Sequence, residues 1–100
     1  MGMFLVQFKL SNKGEWYEDE RVFINLESLD LEEVFHILEE DMSIPFQIED
    51  FVRENYGELV FDSWRPVMIQ QWVLDEQGLV ERDIEPKVVW SEDEGGVKLH

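Results

Sequence analysis

The stretch over residues 30–42, DLEEVFHILEEDM, constrains this chain most, because its apolar residues recur with a single readable period. At about 100° per residue, Leu31, Val34, Phe35, Leu38 and Met42 fall on one stripe, while Glu32, Glu33, His36, Glu39 and Glu40 fall on the other side. The segment is predicted to be an amphipathic helix. Asp30 stands at the N-cap position, and Glu33 three residues later has the spacing of a capping box, so the helix start is signalled as well as its body. The apolar stripe needs a second layer to cover it, and the flanking segments must provide that layer.

Residues 3–10, MFLVQFKL, form a short apolar run expected to be a strand. Ser11, Asn12, Lys13 and Gly14 make a turn cluster, and residues 15–26 bring Val22, Ile24 and Leu26 in alternation, so a β-hairpin is expected here. After the first helix a second is predicted over residues 43–56. There Ile44, Ile48, Phe51 and Val52 share a face, Pro45 lies in the first turn and Gly57 is placed to end the helix. Beyond Gly57 the period changes. Residues 58–64 read as a strand broken by Arg65 and Pro66, and residues 67–74 as the next. A turn at residues 75–78, with Gly78 left-handed, then leads into a returning strand over 79–84. Pro86 interrupts, and residues 87–90 resume as an edge strand.

The predicted order is β-β-α-α-β-β-β, an α+β fold with two helices on one face of a mostly antiparallel sheet. With 100 residues, 44% of them hydrophobic, the chain has apolar surface for one core and is too short for two. Residues 1–90 are expected to form that single domain, and residues 91–100 a loose acidic tail.

Neither histidine nor acid pairs supply a catalytic arrangement. His36 is flanked by Glu32, Glu33, Glu39 and Glu40, but one exposed helix face offers no converging ligand from a second element, and the other histidine, His100, is terminal. A solvated face is expected, with no metal site. With 24 acidic residues, adjacent pairs such as Asp19 with Glu20 and Glu81 with Asp83 arise from composition alone. Gly95 and Gly96 carry no phosphate-loop spacing, and Asp75, Glu76 and Gln77 lack the spacing of a calcium loop. The chain has no cysteine, which removes thiolate chemistry and disulfides. No catalytic residue and no cofactor is therefore assigned, and a non-enzymatic protein is expected. The chain carries no apolar run long enough to span a bilayer and no leader pattern, so a soluble, cytoplasmic protein is expected, without membrane binding.

The charge is uneven as well as large. Against 24 acids stand 8 Lys and Arg, a formal net charge of −16. Residues 1–14 carry +2, residues 15–62 carry −14 and residues 63–100 carry −4. Direct binding of nucleic acid is disfavoured, since it depends on clustered basic residues. Over residues 32–40 four glutamates fall within about 12 Å of helix, close to the charge spacing of a single nucleic-acid strand. Trp16 and Tyr17 stand directly before Glu18, Asp19 and Glu20, a pairing of aromatics and acids that suits an anchor with an electrostatic rim. A salt-loving source would also give an acidic chain, though the abundance of Trp, Phe and Ile weighs against it.

Two functions are compatible with these features. The first is a small inhibitor that occupies the basic nucleic-acid-binding surface of a nuclease, restriction or CRISPR effector, or toxin, in the general manner of nucleic-acid-mimicking phage proteins and bacterial immunity proteins. The second is a non-enzymatic acidic subunit or adaptor of a larger protein complex. The partner-binding residues nominated are Trp16, Tyr17, Glu18, Asp19, Glu20, Glu32, Glu33, Glu39 and Glu40, and the partner is expected to be a basic protein.

Overall fold

The computed structural model describes residues 1–94. Within them the order is β1 (Gly2–Asn12), β2 (Glu15–Ser28), α1 (Leu31–Glu40), α2 (Ile44–Tyr56), β3 (Ser63–Gln71), β4 (Lys87–Ser91) and a short 3-10 turn, Glu92–Glu94. The sheet is antiparallel with strand order β2-β1-β3-β4, so the first strand lies inside and both β2 and β4 are edges.

Alternation in the first hairpin makes the two faces of the sheet unequal. Phe4, Val6, Phe8 and Leu10 of β1 and Val22, Ile24 and Leu26 of β2 are buried on one face, where Val34 of α1 and Ile44, Ile48 and Val52 of α2 meet them. The intervening residues of β1 and β2, such as Gln7, Lys9 and Asn25, occupy the other face, which no helix covers. The expected α+β architecture, a mostly antiparallel sheet flanked by two helices, is the one observed. The hairpin is closed by Lys13 at φ +52° and Gly14 at φ +84°. Two consecutive left-handed residues match the right-handed twist of the flanking strands.

Both helices start and stop for local reasons. The Asp30 carboxylate accepts from the Glu33 N–H at 2.9 Å, as an N-cap does. Glu33 reaches back one residue further than the box requires, accepting from the Leu29 N–H and the Ser28 hydroxyl, each at 2.9 Å. Helix α1 ends earlier than the stripe suggested. Asp41 turns extended at ψ 113°, so Met42 lies beyond the helix and is 81% exposed instead of closing the apolar face. In α2 the expected face holds: Ile44, Ile48 and Val52 are buried and Phe51 is half-buried. Pro45 lies in the first turn and Gly57 ends the helix at φ +67°.

The second half departs from expectation in three places. Residues 58–62 form no strand. They cross from the helix layer back to the sheet, with the Asp62 N–H donating to the Ser11 carbonyl at 2.9 Å, while Leu59 and Phe61 pack against the core. Arg65 and Pro66 do not break the chain, because β3 runs through both. A shift in the β1–β3 register leaves Val67 unpaired between Pro66 and Met68, and β4 reaches β3 only from Met68 onward. Pro66 therefore sits where no neighbour asks for its missing N–H.

The turn at residues 75–78 forms, with Gly78 at φ +82° and the Asp75 carboxylate accepting from the N–H groups of Gln77 and Leu79, but the return does not become a strand. A single bridge joins Leu74 to Val80. This arm lies beside the start of β1 and Glu27 of β2, with which it lines a small cavity, and among the described residues it pairs with no third strand. The edge strand expected over 87–90 is β4, extended by one residue. Of the loose tail expected over residues 91–100, the described part is ordered: Ser91 is buried in β4 and Glu92–Glu94 form the 3-10 turn; residues 95–100 lie outside the described part.

Candidate functional site

More than half of the net negative charge lies in the helix layer and its flanks. Between Asp30 and Glu58 stand ten carboxylates and one arginine, Arg53, which is paired with Asp50. Because Val34 and the residues beside it hold α1 to the sheet, Glu32, Glu39 and Glu40 are exposed on its outward side. On α2 burial of Ile44, Ile48 and Val52 turns Glu49, Asp50 and Glu54 outward in the same way.

The C-terminal end of α1 concentrates this charge further. Glu39, Glu40 and Asp41 follow one another there, and no basic residue occupies the last turn. A helix C-terminus carries the negative end of the backbone dipole, so carboxylates there oppose the field that Lys or Arg would complement. His36 is the single local partner, with Nδ1 3.1 Å from the Glu40 carboxylate. Hydrogen bonds from the Ser43 backbone and side chain hold the Asp41 carboxyl below its ordinary range, which keeps this carboxylate ionised. The Ser43 N–H lies 2.8 Å from Asp41 Oδ1.

The nominated residues do not all gather in one place. Glu33 is half-buried and holds the helix start through Ser28 and Leu29, which takes its carboxylate away from the outward face. Trp16 and Tyr17 point to opposite sides of β2. Tyr17 turns to the helix side, where its hydroxyl donates to the Val60 carbonyl at 2.6 Å. Trp16 lies on the uncovered face with Lys9 5.1 Å and Arg65 4.5 Å from its ring centre. They therefore form no joint anchor. Glu18 and Asp19 are exposed and Glu20 is half-buried.

No family model, curated protein or solved structure matches the chain. The site's chemistry must be read from its own residues. Among the described residues no group of three or more histidines or carboxylates is arranged to hold a metal ion, and no helix is long and apolar enough to cross a membrane.

Three contributors carry little local signal. Asp41 joins the acidic end only because the helix stops at Glu40, which depends on where Asp41 turns extended. Arg65 reaches Trp16 across the sheet, through a β1–β3 register that the hydropathy pattern does not fix. Glu92 closes that cluster, with a carboxylate oxygen 2.7 Å from Arg65 and another 3.6 Å from Lys9. Glu92 thus bridges two of the protein's few cations on the face opposite the acidic helices.

Proposed function

We propose that this protein is a small non-enzymatic inhibitor whose helix layer occupies the basic nucleic-acid-binding surface of a nuclease, a restriction or CRISPR effector, or a toxin. Its carboxylates stand in for phosphates. The observation that carries the reading is the run of Glu39, Glu40 and Asp41 at the dipole-negative end of α1 with no base in the last turn. A helix selected for stability alone would place Lys or Arg there, so Glu39 and Glu40, which oppose the dipole, are best explained by what the surface meets. Glu32, about two turns earlier on the same side, extends the row over about 12 Å. Separation of this face from Lys9 and Arg65 leaves its field uncompensated at close range.

The partner on this reading is a basic protein, and a cytoplasmic location agrees with a chain that uses no cysteine. The test is capture from the native host on the immobilised protein, followed by competition. The captured protein should bind DNA or RNA, and this chain should displace that nucleic acid. A captured partner whose nucleic-acid binding is untouched at saturating inhibitor would sink the proposal. A second reading, an acidic adaptor of a larger complex, is favoured by the uncovered edge of β2, where another chain can pair.

A further inference from the structure

The two edges of the sheet are guarded unequally. β4 is five residues long and follows Pro86, with Lys87 at its start, features that discourage pairing. β2 is fourteen residues long, and among the described residues side chains meet its outer backbone at Tyr17, whose carbonyl accepts from the Arg21 guanidinium at 3.2 Å, and at Arg21 itself. There the Tyr56 hydroxyl accepts from the Arg21 N–H at 3.0 Å and donates to the Arg21 carbonyl at 2.7 Å.

That contact fixes the direction of the remaining backbone. In an antiparallel strand both polar groups of a residue point to the same side, and the side alternates along the chain. Arg21 points away from β1, so the N–H and C=O groups of Phe23, Asn25 and Glu27 point away as well. Among the described residues no strand pairs with that edge. Beside it runs a groove walled by α2 and lined by Phe23, Asn25, Gln47, Asp50, Phe51 and Glu54. Its floor is aromatic, with the Phe23 and Phe51 rings edge to face at 6.1 Å. At 270 Å³ it falls below the usual range for a small-molecule pocket, about 300 to 1,000 Å³, and suits side chains of a chain laid along it.

We propose that the stretch of β2 from residue 23 to 27 binds an extended, Lys- or Arg-bearing segment of a partner protein as an added strand, with α2 as the wall of the groove. Main-chain hydrogen bonds to Phe23, Asn25 and Glu27 hold the segment, and alternate side chains separate by chemistry. Apolar ones rest on Phe23 and Phe51. Basic ones meet Asp50 and Glu54 on the α2 wall; Asp50 is already shared with Arg53, which leaves Glu54 without an ion-pair partner among the described residues. A second copy of this chain is the poorer occupant, because it would bring Glu20, Glu27 and Glu54 against carboxylates of their own kind. The inference does not depend on the inhibitor reading, since it uses none of the α1 carboxylates.

The probe is a fluorescein-labelled seven-residue peptide alternating Val and Lys, followed by anisotropy and by amide shifts of the labelled protein. Saturable binding below about 1 mM is expected, with shifts and slowed exchange at Phe23, Asn25 and Glu27. Two further peptides, N-methylated at alternate positions so that each loses the donors of one edge, should differ: one weakened at least about tenfold, the other little changed. Glu54→Gln should weaken the parent peptide several-fold, while the triple variant Glu32→Gln, Glu39→Gln, Glu40→Gln should leave it unaltered. Equal binding by both methylated peptides, shifts confined to α1, or no saturable binding up to about 1 mM would each overturn strand addition.

Discussion

Trp16 illustrates how one side chain acquires a role that its neighbours in sequence do not announce. An aromatic beside three acids invites a reading as an exposed anchor, and at 37% exposure it is indeed partly open, yet its ring lies between two cations. Each cation–π contact at such a site contributes about 0.5 to 1 kcal/mol. Trp16→Ala should therefore lower stability by about 1 to 2 kcal/mol in chemical denaturation, and Glu92→Gln, which frees Arg65 and Lys9, should lower it by less. Loss of neither would mean that the cluster is held by nothing more than crowding. Asp41 gives a prediction in pH. Its folded-state pKa is lowered, so its contribution favours the folded state above the unfolded value and disappears as pH falls through the folded one. A carboxyl carbon titration by NMR should place the Asp41 midpoint below that of an ordinary aspartate, and Ser43→Ala should move it only part of the way back, because the backbone bond is the larger cause.

Among the elements, α1 is where, on the proposed inhibitor function, stability and recognition would pull apart. Glu39→Gln together with Glu40→Gln removes two charges from the wrong end of the dipole and should raise stability by a few tenths of a kcal/mol each, while slowing association with a basic partner and flattening its salt dependence. An unchanged association rate would place the interface elsewhere. The elements also show which parts of a fold are written locally. The first hairpin, both helices and the Asp30 cap were legible because alternation, a 3.6-residue period and capping chemistry act within a few residues. The end of α1 was not, since Met42 continues the apolar period while Asp41 and Ser43 turn the chain aside. Pro66 misled for a related reason: a proline is costly in a paired strand, but the bulge at Val67 and the short reach of β4 remove the partner that would notice. The returning arm after Gly78 carries strand-forming residues and still pairs through one bridge, because a strand needs a second neighbour and among the described residues none pairs with it. As for the site, the helix acids could be named from sequence, whereas the diversion of Glu33, the separation of Trp16 from Tyr17 and the part played by Glu92 depend on contacts between distant residues.

Taken whole, a net charge of −16 on 100 residues means that the folded state repels itself. Added sodium chloride should raise the melting temperature, most steeply below about 0.15 M, where the Debye length shrinks toward 8 Å. A melting temperature independent of salt would show that the carboxylates are already compensated. The isolated protein should give no mobility shift with DNA or RNA at physiological salt, and micromolar binding would contradict the charge argument. There is also a consequence of having the helix carboxylates on one side and Lys9 and Arg65 on the other. Such a molecule carries a lasting dipole moment through its body, and a positively charged cleft exerts a torque on it before any atoms touch. Association between proteins is slowed chiefly by the wait for two patches to face each other. Here the field would turn the molecule helices-first during approach, so that much of the angular search is over on arrival.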